Sequence, residues 1–164
     1  MKAFYQLSYK RSVPCRYGEL PDPVARENKM LIEVKAVSIN PVDYKIKNAD
    51  TRLMPGSRFP KIVGSDFAGI VKQPVQGDTS FKAGERVYGA VSIFFGNSGA
   101  LCELLVTDSK NVRHMPDYMS FEEAASLPVA ALTALNGLRR CRITTGSNIL
   151  INGATGGVGH FAIQ

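Results

Sequence analysis

The stretch Asn148-Ile-Leu-Ile-Asn-Gly-Ala-Thr-Gly-Gly-Val-Gly-His-Phe-Ala-Ile-Gln164 constrains the fold more than any other part of this chain. It reads as a short apolar strand over Ile149–Ile151, a glycine turn and the opening of a helix. Gly153, Gly156, Gly157 and Gly159 let a backbone turn tightly and approach a diphosphate, which the positive end of the following helix attracts. This is the first βα of a dinucleotide-binding unit. Such a unit also needs a ribose-reading residue about 20 residues further on. The expectation is therefore of an incomplete unit, one whose apolar edge favours self-association.

Upstream the character is different. Met30–Ile39 carries Val34, Val37 and Ile39 as a half-buried strand does, and Pro41 ends it. Ile62–Val71 reads as another strand, with Gly64 and Gly69 marking a bulge or a close backbone approach. A turn at Gly84 leads into a strand through Val87. Ala100–Thr107 and Asn111–His114 read as further strands on either side of Asp108-Ser109. Many short strands with Gly/Pro punctuation predict a small barrel or sandwich. Beyond Pro116 the pattern turns helical. Ser120 and Glu123 form a capping box, Pro128 interrupts the helix, and Val129–Leu138 forms a second helix ending near Gly137. The order is all-β, then linker helices, then the start of a doubly wound fold.

The net charge is +6, from 20 Lys/Arg against 14 Asp/Glu. The cations are scattered, with no run beyond two, so a solvated surface rather than a nucleic-acid face is expected. Residues 1–11 hold no apolar leader, and no stretch is long enough to span a membrane. Cys15, Cys102 and Cys141 are odd in number and widely spaced; they form neither a disulfide framework nor a metal motif. A reducing, cytoplasmic setting is expected.

Five motifs in order carry a resemblance: Asn40-Pro-Val-Asp-Tyr-Lys45, Gly64-Ser-Asp-Phe-Ala-Gly-Ile-Val71, Phe81-Lys-Ala-Gly-Glu-Arg-Val-Tyr-Gly89, Ala125-Ser-Leu-Pro-Val-Ala-Ala-Leu-Thr-Ala-Leu135 and Gly153-Ala-Thr-Gly-Gly-Val-Gly159. Together they resemble the N-terminal portion of the medium-chain dehydrogenase/reductase superfamily. The type is the zinc-independent quinone oxidoreductase and alkenal reductase. The resemblance implies a mainly β fold: a GroES-like β-barrel over residues 1–120, then linker helices and the truncated start of a Rossmann domain over 121–164. It implies NADPH as cofactor, with NAD as the other candidate, and a quinone or enone as the small-molecule substrate. Residues 1–164 alone are expected to be inactive. A non-catalytic GroES-like partner-binding module is the alternative.

Zinc is not expected. Zinc-dependent relatives of this family place Cys-His-x-Asp and Gly-His-Glu where this chain reads Asn40-Pro-Val-Asp43 and Gly64-Ser-Asp66, and an amide and a hydroxyl are poor zinc ligands. His114 and His160 read as structural. The resemblance assigns the catalytic side to Asn40, Asp43 and Tyr44. It assigns cofactor binding to Lys45, Thr133, Gly153, Gly156, Gly157, Val158 and Gly159. Ordinary roles compete: Asp43 can cap a short helix, Lys45 can be solvated, Tyr44 can pack, and Thr133 can bond its own i−4 carbonyl. Asp66 stands in for a zinc-site glutamate, with no role assigned by the sequence.

Overall fold

The computed structural model describes residues 1–26, 28–48, 58–91 and 99–164. The first sheet has three strands in the order β2-β1-β4, formed by Lys2–Gln6 (β1), Arg16–Glu19 (β2) and Lys61–Ile62 (β4). The second has five in the order β7-β3-β5-β6-β8: Met30–Ser38 (β3), Asp66–Gln73 (β5), Arg86–Ala90 (β6), Leu104–Thr107 (β7) and Val112–His114 (β8). All neighbours in both sheets are antiparallel. Glu103 links the sheets: its N–H donates to Lys2 O in β1 (3.1 Å) and its O accepts from Val34 N in β3 (3.0 Å).

β5 is covered on both faces, and its period-two alternation divides the labour. Phe67 and Val71 enter the main core with Met30, Ile32, Val87, Leu105 and Val112. Ala68 faces the other way, against Ala124 and Ala125 of the helix Phe121–Ser126 (α2). Burial of Phe67 alone contributes about 1.5–3 kcal/mol. Gly69 is required by close approach. A Cβ there would sit 2.2 Å from Glu33 O, beside the register shift between Val34 and Ala36.

Several expected elements hold. The Ser120/Glu123 capping box is present, with Glu123 N donating to Ser120 Oγ (3.2 Å) and Ser120 N to Glu123 Oε2 (2.8 Å). Gly84 turns at φ +89°. Pro128 begins a new helix, Pro128–Arg140 (α3), after α2.

Others are corrected. The strand expected over Ile62–Val71 is two strands in different sheets, because Gly64 at φ +88° breaks the ladder and sends the chain from β4 to β5. The strand expected from Ala100 begins only at Leu104; Cys102 makes a lone bridge to Ala3. α3 passes through Gly137 to Arg140, since Gly137 O still accepts from Cys141 N (3.1 Å) and nothing crowds the helix there. Ile149–Ile151 is not a strand. A strand exists only by virtue of a neighbour, and no described strand lies beside it. The helix Gly157–Ile163 (α4) follows the glycine turn as expected.

Candidate functional site

Asn40 stands where β3 gives way to the helix Pro41–Lys47 (α1). Its extended backbone (φ −112°, ψ 156°) and Pro41 at the first helical position set the corner. Asp43 reaches back one turn, and its Oδ2 accepts the Asn40 N–H at 2.6 Å. The Asn40 side chain points to the barrel instead: its Nδ2 donates to Asp66 Oδ2 at 2.9 Å, with Ser65 Oγ at 3.4 Å. Asp43 and Asp66 are both buried, and one oxygen of each (Oδ1) has no hydrogen-bond partner among the described residues. Burial pushes both carboxyls above the usual range; for Asp43 the Asn40 N–H and Ser65 pull back. For Asp66 the donors Asn40, Val129 and Ser38 pull back, while the Asp43 charge adds to the rise.

Asp66 holds more than Asn40. Its Oδ2 also accepts from Ser38 Oγ (3.2 Å) and from the backbone N–H of Val129 (3.1 Å), in the first turn of α3. Thus the barrel grips the helix that carries Thr133. Thr133 is exposed, and its hydroxyl donates to Val129 O at 2.6 Å. This is the i−4 bond that competes with a ligand role, though an oxygen so engaged keeps lone pairs to accept with. Tyr44 is 54% exposed, and Lys45 is exposed beside it.

The glycine turn lies against α3. Gly153 (φ +76°) turns the chain, and its O accepts from Gly156 N at 3.0 Å. A Cβ on Gly159 would meet that same oxygen at 2.2 Å, so only glycine closes the turn. A Cβ on Gly156 would come no closer than 3.4 Å to that oxygen, and one on Gly157 would be 3.7 Å from the Ala130 Cβ, an ordinary contact. Val158 is partly exposed beside an apolar trough lined by Thr133, Ala134, Leu138, Ile149 and Ile151. The structure therefore sets Asn40, Asp43, Tyr44 and Lys45 at one corner of the barrel. Thr133 and the 153–159 turn sit on or against a single helix pinned to that corner. Asp66 and Ser38 were not assigned from sequence; the available signal was Leu127-Pro128, which opens α3 with neither a capping oxygen nor a first N–H.

Among the described residues no three His, Cys, Asp or Glu side chains gather as metal ligands, and no helix is long and apolar enough to cross a membrane. The three cysteines are free, and burial holds the Cys102 thiol at about 12.

An antiparallel barrel leading through a pinned helix into a glycine turn defines a class. Residues 26–117 match the alcohol dehydrogenase GroES-like domain. The chain belongs to the medium-chain dehydrogenase/reductase superfamily, in its quinone oxidoreductase type. It is 38% identical to the chloroplast envelope quinone oxidoreductase homolog of Arabidopsis thaliana, over 89% of this chain and 46% of that one. The quinone oxidoreductase of Coxiella burnetii superposes with a TM-score of 0.88 at 32% identity, covering 99% of this chain and 52% of that chain. That of Escherichia coli, solved in complex with NADPH, gives 0.83 at 28% identity, covering 99% and 48%. The chain thus spans about half the length of the relatives it matches.

Proposed function

We propose that the whole protein carrying this chain is a zinc-independent, NADPH-dependent reductase of quinones or α,β-unsaturated carbonyls. The observation that carries this reading is the shared anchorage of barrel corner and glycine turn on α3, through the Asp66–Val129 bond on one side and the packing of α4 against α3 on the other. The Escherichia coli relative in complex with NADPH supports the choice of cofactor.

The residues fit that group. The glycine turn, closed tightly by Gly159 and open at Gly156, suits a diphosphate that approaches Gly153 and Gly156 closely and is held by the N–H groups of Gly157 to Gly159, with Val158 against it; the Gly156 N–H is committed to Gly153 O. A reduced nicotinamide, when bound, supplies the hydride. Thr133 accepts from the carboxamide, because its own proton is committed to Val129 O. Asn40 has its Nδ2 on Asp66, which leaves its amide oxygen for a ribose hydroxyl. Asp43 fixes the Asn40 backbone rather than meeting solvent. Tyr44 is the proton donor to the reduced acceptor, and Lys45 faces a negative group of the cofactor.

Electron-poor acceptors suit such a site, since they take hydride without a Lewis acid, whereas simple alcohols need their alkoxide stabilised. Asn40 and Ser65, an amide and a hydroxyl, favour a metal-free mechanism. In this reading residues 1–120 form the barrel unit and 121–164 begin the cofactor unit. Three free thiols support a reducing, cytoplasmic setting. The deciding assay offers the whole protein NADPH with quinones, enones and simple alcohols. Turnover of the first two supports the proposal. Alcohol oxidation alone, or a tightly held stoichiometric zinc, defeats it.

A further inference from the structure

Asp66 is fully buried, yet three donors from three parts of the chain converge on its Oδ2: Ser38 at the end of β3, Asn40 at the corner and Val129 in α3. Resting on the reductase reading above, we propose that Asp66 is a positioning residue that fixes α3, and through it the glycine turn, relative to Asn40.

The start of α3 explains why a remote acceptor is needed. Leu127 precedes it with a helical backbone (φ −81°, ψ −47°) and an apolar side chain, so no local oxygen turns back to the first free N–H groups. Pro128 has no N–H. The first free donor is Val129 N, and it is met from β5, 63 residues earlier in the chain. A carboxylate there also sits at the positive end of the helix. Beyond Val129, α3 packs against α4, which opens at Gly157, and one turn along α3 lies Thr133. A shift of α3 against β5 would therefore move Thr133 and the glycine turn together, while Asn40 would lose the acceptor for its own side chain. The nicotinamide end of a cofactor held between Asn40 and Thr133 would be misplaced. The glycine turn would keep its own contacts with the cofactor, because it moves with α3. The expected signature is thus a hydride step slowed by more than the cofactor affinity is weakened.

The test uses the whole protein carrying this chain, with Asp66→Ala and Asp66→Asn. Three quantities are read: amide exchange at Val129 and at Gly157–Gly159, the NADPH dissociation constant, and the single-turnover rate of hydride transfer to a quinone. For Asp66→Ala, Val129 exchange should accelerate about tenfold or more, and the transfer rate should fall about tenfold or more. The dissociation constant should rise by no more than about fivefold, the scale of one hydrogen bond and less than the loss of rate, since the interactions lost matter chiefly at the reacting end. Asp66→Asn keeps one carbonyl oxygen for Val129 and should recover part of both losses; it decides the matter if Asp66→Ala does not fold. Unchanged exchange at Val129 overturns the proposal. So does a rate loss matched by an equal loss of NADPH affinity, or one that disappears at low temperature in step with the folded fraction. If the wild-type protein reduces no acceptor, the reductase reading fails separately. Exchange at Val129 and Gly157–Gly159 then decides whether Asp66 fixes the helix and the turn.

Discussion

The carbonyl oxygen of Gly153 occupies the space that any side chain at Gly159 would need, 2.2 Å from where its Cβ would lie. Gly159→Ala must therefore open the 153–159 turn. Gly156→Ala keeps it, since the added carbon would lie 3.4 Å from the same oxygen and the backbone there is ordinary (φ −77°). In the whole protein Gly159→Ala should weaken NADPH binding about tenfold or more, with the barrel's melting temperature little changed. Gly156→Ala should weaken binding only if a ligand approaches that backbone closely. Equilibrium titration of both variants separates a shape requirement from a contact, and full affinity in Gly159→Ala would remove the turn from the cofactor site.

Glycines elsewhere lead to opposite expectations. Gly69→Ala would drive a methyl to within 2.2 Å of Glu33 O in the centre of the larger sheet. A loss of about 2–4 kcal/mol in denaturant unfolding is expected. Gly137→Ala meets open space on the exposed side of a continuing helix and should stabilise the protein by about 0.5–1 kcal/mol. Destabilisation by Gly137→Ala would mean that the helix ends there after all.

These glycines also separate what sequence can convey from what it cannot. Local chemistry was readable: the Ser120/Glu123 box, the turn at Gly84 and the break at Pro128 each follow from residues within a few positions of one another. Gly69 was readable as a close approach, though the carbonyl it meets, Glu33 O, was not. What failed depended on partners. Ile62–Val71 looks continuous because both pieces are apolar, but the sheet changes at Gly64, and only long-range pairing reveals it. Lys2–Gln6 and Arg16–Glu19 carry too little apolar alternation to stand out, yet pair through the register that sets Phe4 opposite Tyr17. At the site, Asn40, Thr133 and the glycines were legible as residue types. The Asp66–Val129 bond was not: Leu127-Pro128 shows that the start of α3 lacks a local cap, but nothing near it names an acceptor 63 residues away.

The two buried carboxylates set a pH signature. Burial raises both Asp43 and Asp66, so the folded state holds their protons more tightly than the unfolded chain. Their contribution to stability is fully present below the unfolded value, about 3.9, and is lost as pH rises through the folded values. Glu33 and Asp78 are shifted the other way on the surface, so the overall curve mixes signs. The difference between wild type and Asp66→Asn isolates one group. That difference should turn against wild type as pH is raised from about 4 towards neutrality. Chemical denaturation at a series of pH values measures it, and a difference moving the opposite way would mean that Asp66 is stabilised as the anion.

Thr133 should act as an acceptor. Its hydroxyl donates to Val129 O, so Thr133→Val removes an exposed oxygen whose free lone pairs are its only asset for a ligand. NADPH binding to the whole protein should weaken by about fivefold, the scale of one hydrogen bond, while thermal stability stays within error. Thr133→Ser should bind as wild type does. Equal affinity in all three proteins would leave the helix bond as this side chain's whole role.

Residues 1–164 by themselves should neither turn over NADPH nor remain monomeric. One glycine turn supplies only a few hydrogen bonds, and immobilising a large flexible cofactor costs several kcal/mol or more, roughly. The surface next to that turn is apolar and open: Leu150 is 95% exposed and Ile163 61%, with Ile149 and Val158 partly exposed nearby. Contiguous apolar surface of this kind drives association in water. Sedimentation should show species heavier than the 17.8 kDa chain. Leu150→Glu with Ile163→Glu should return it towards monomer without altering the barrel's melting, since neither side chain enters the core. A monomeric wild-type chain would show that this surface folds back on itself in solution. Steady NADPH oxidation by the purified chain would place the working site within these residues alone.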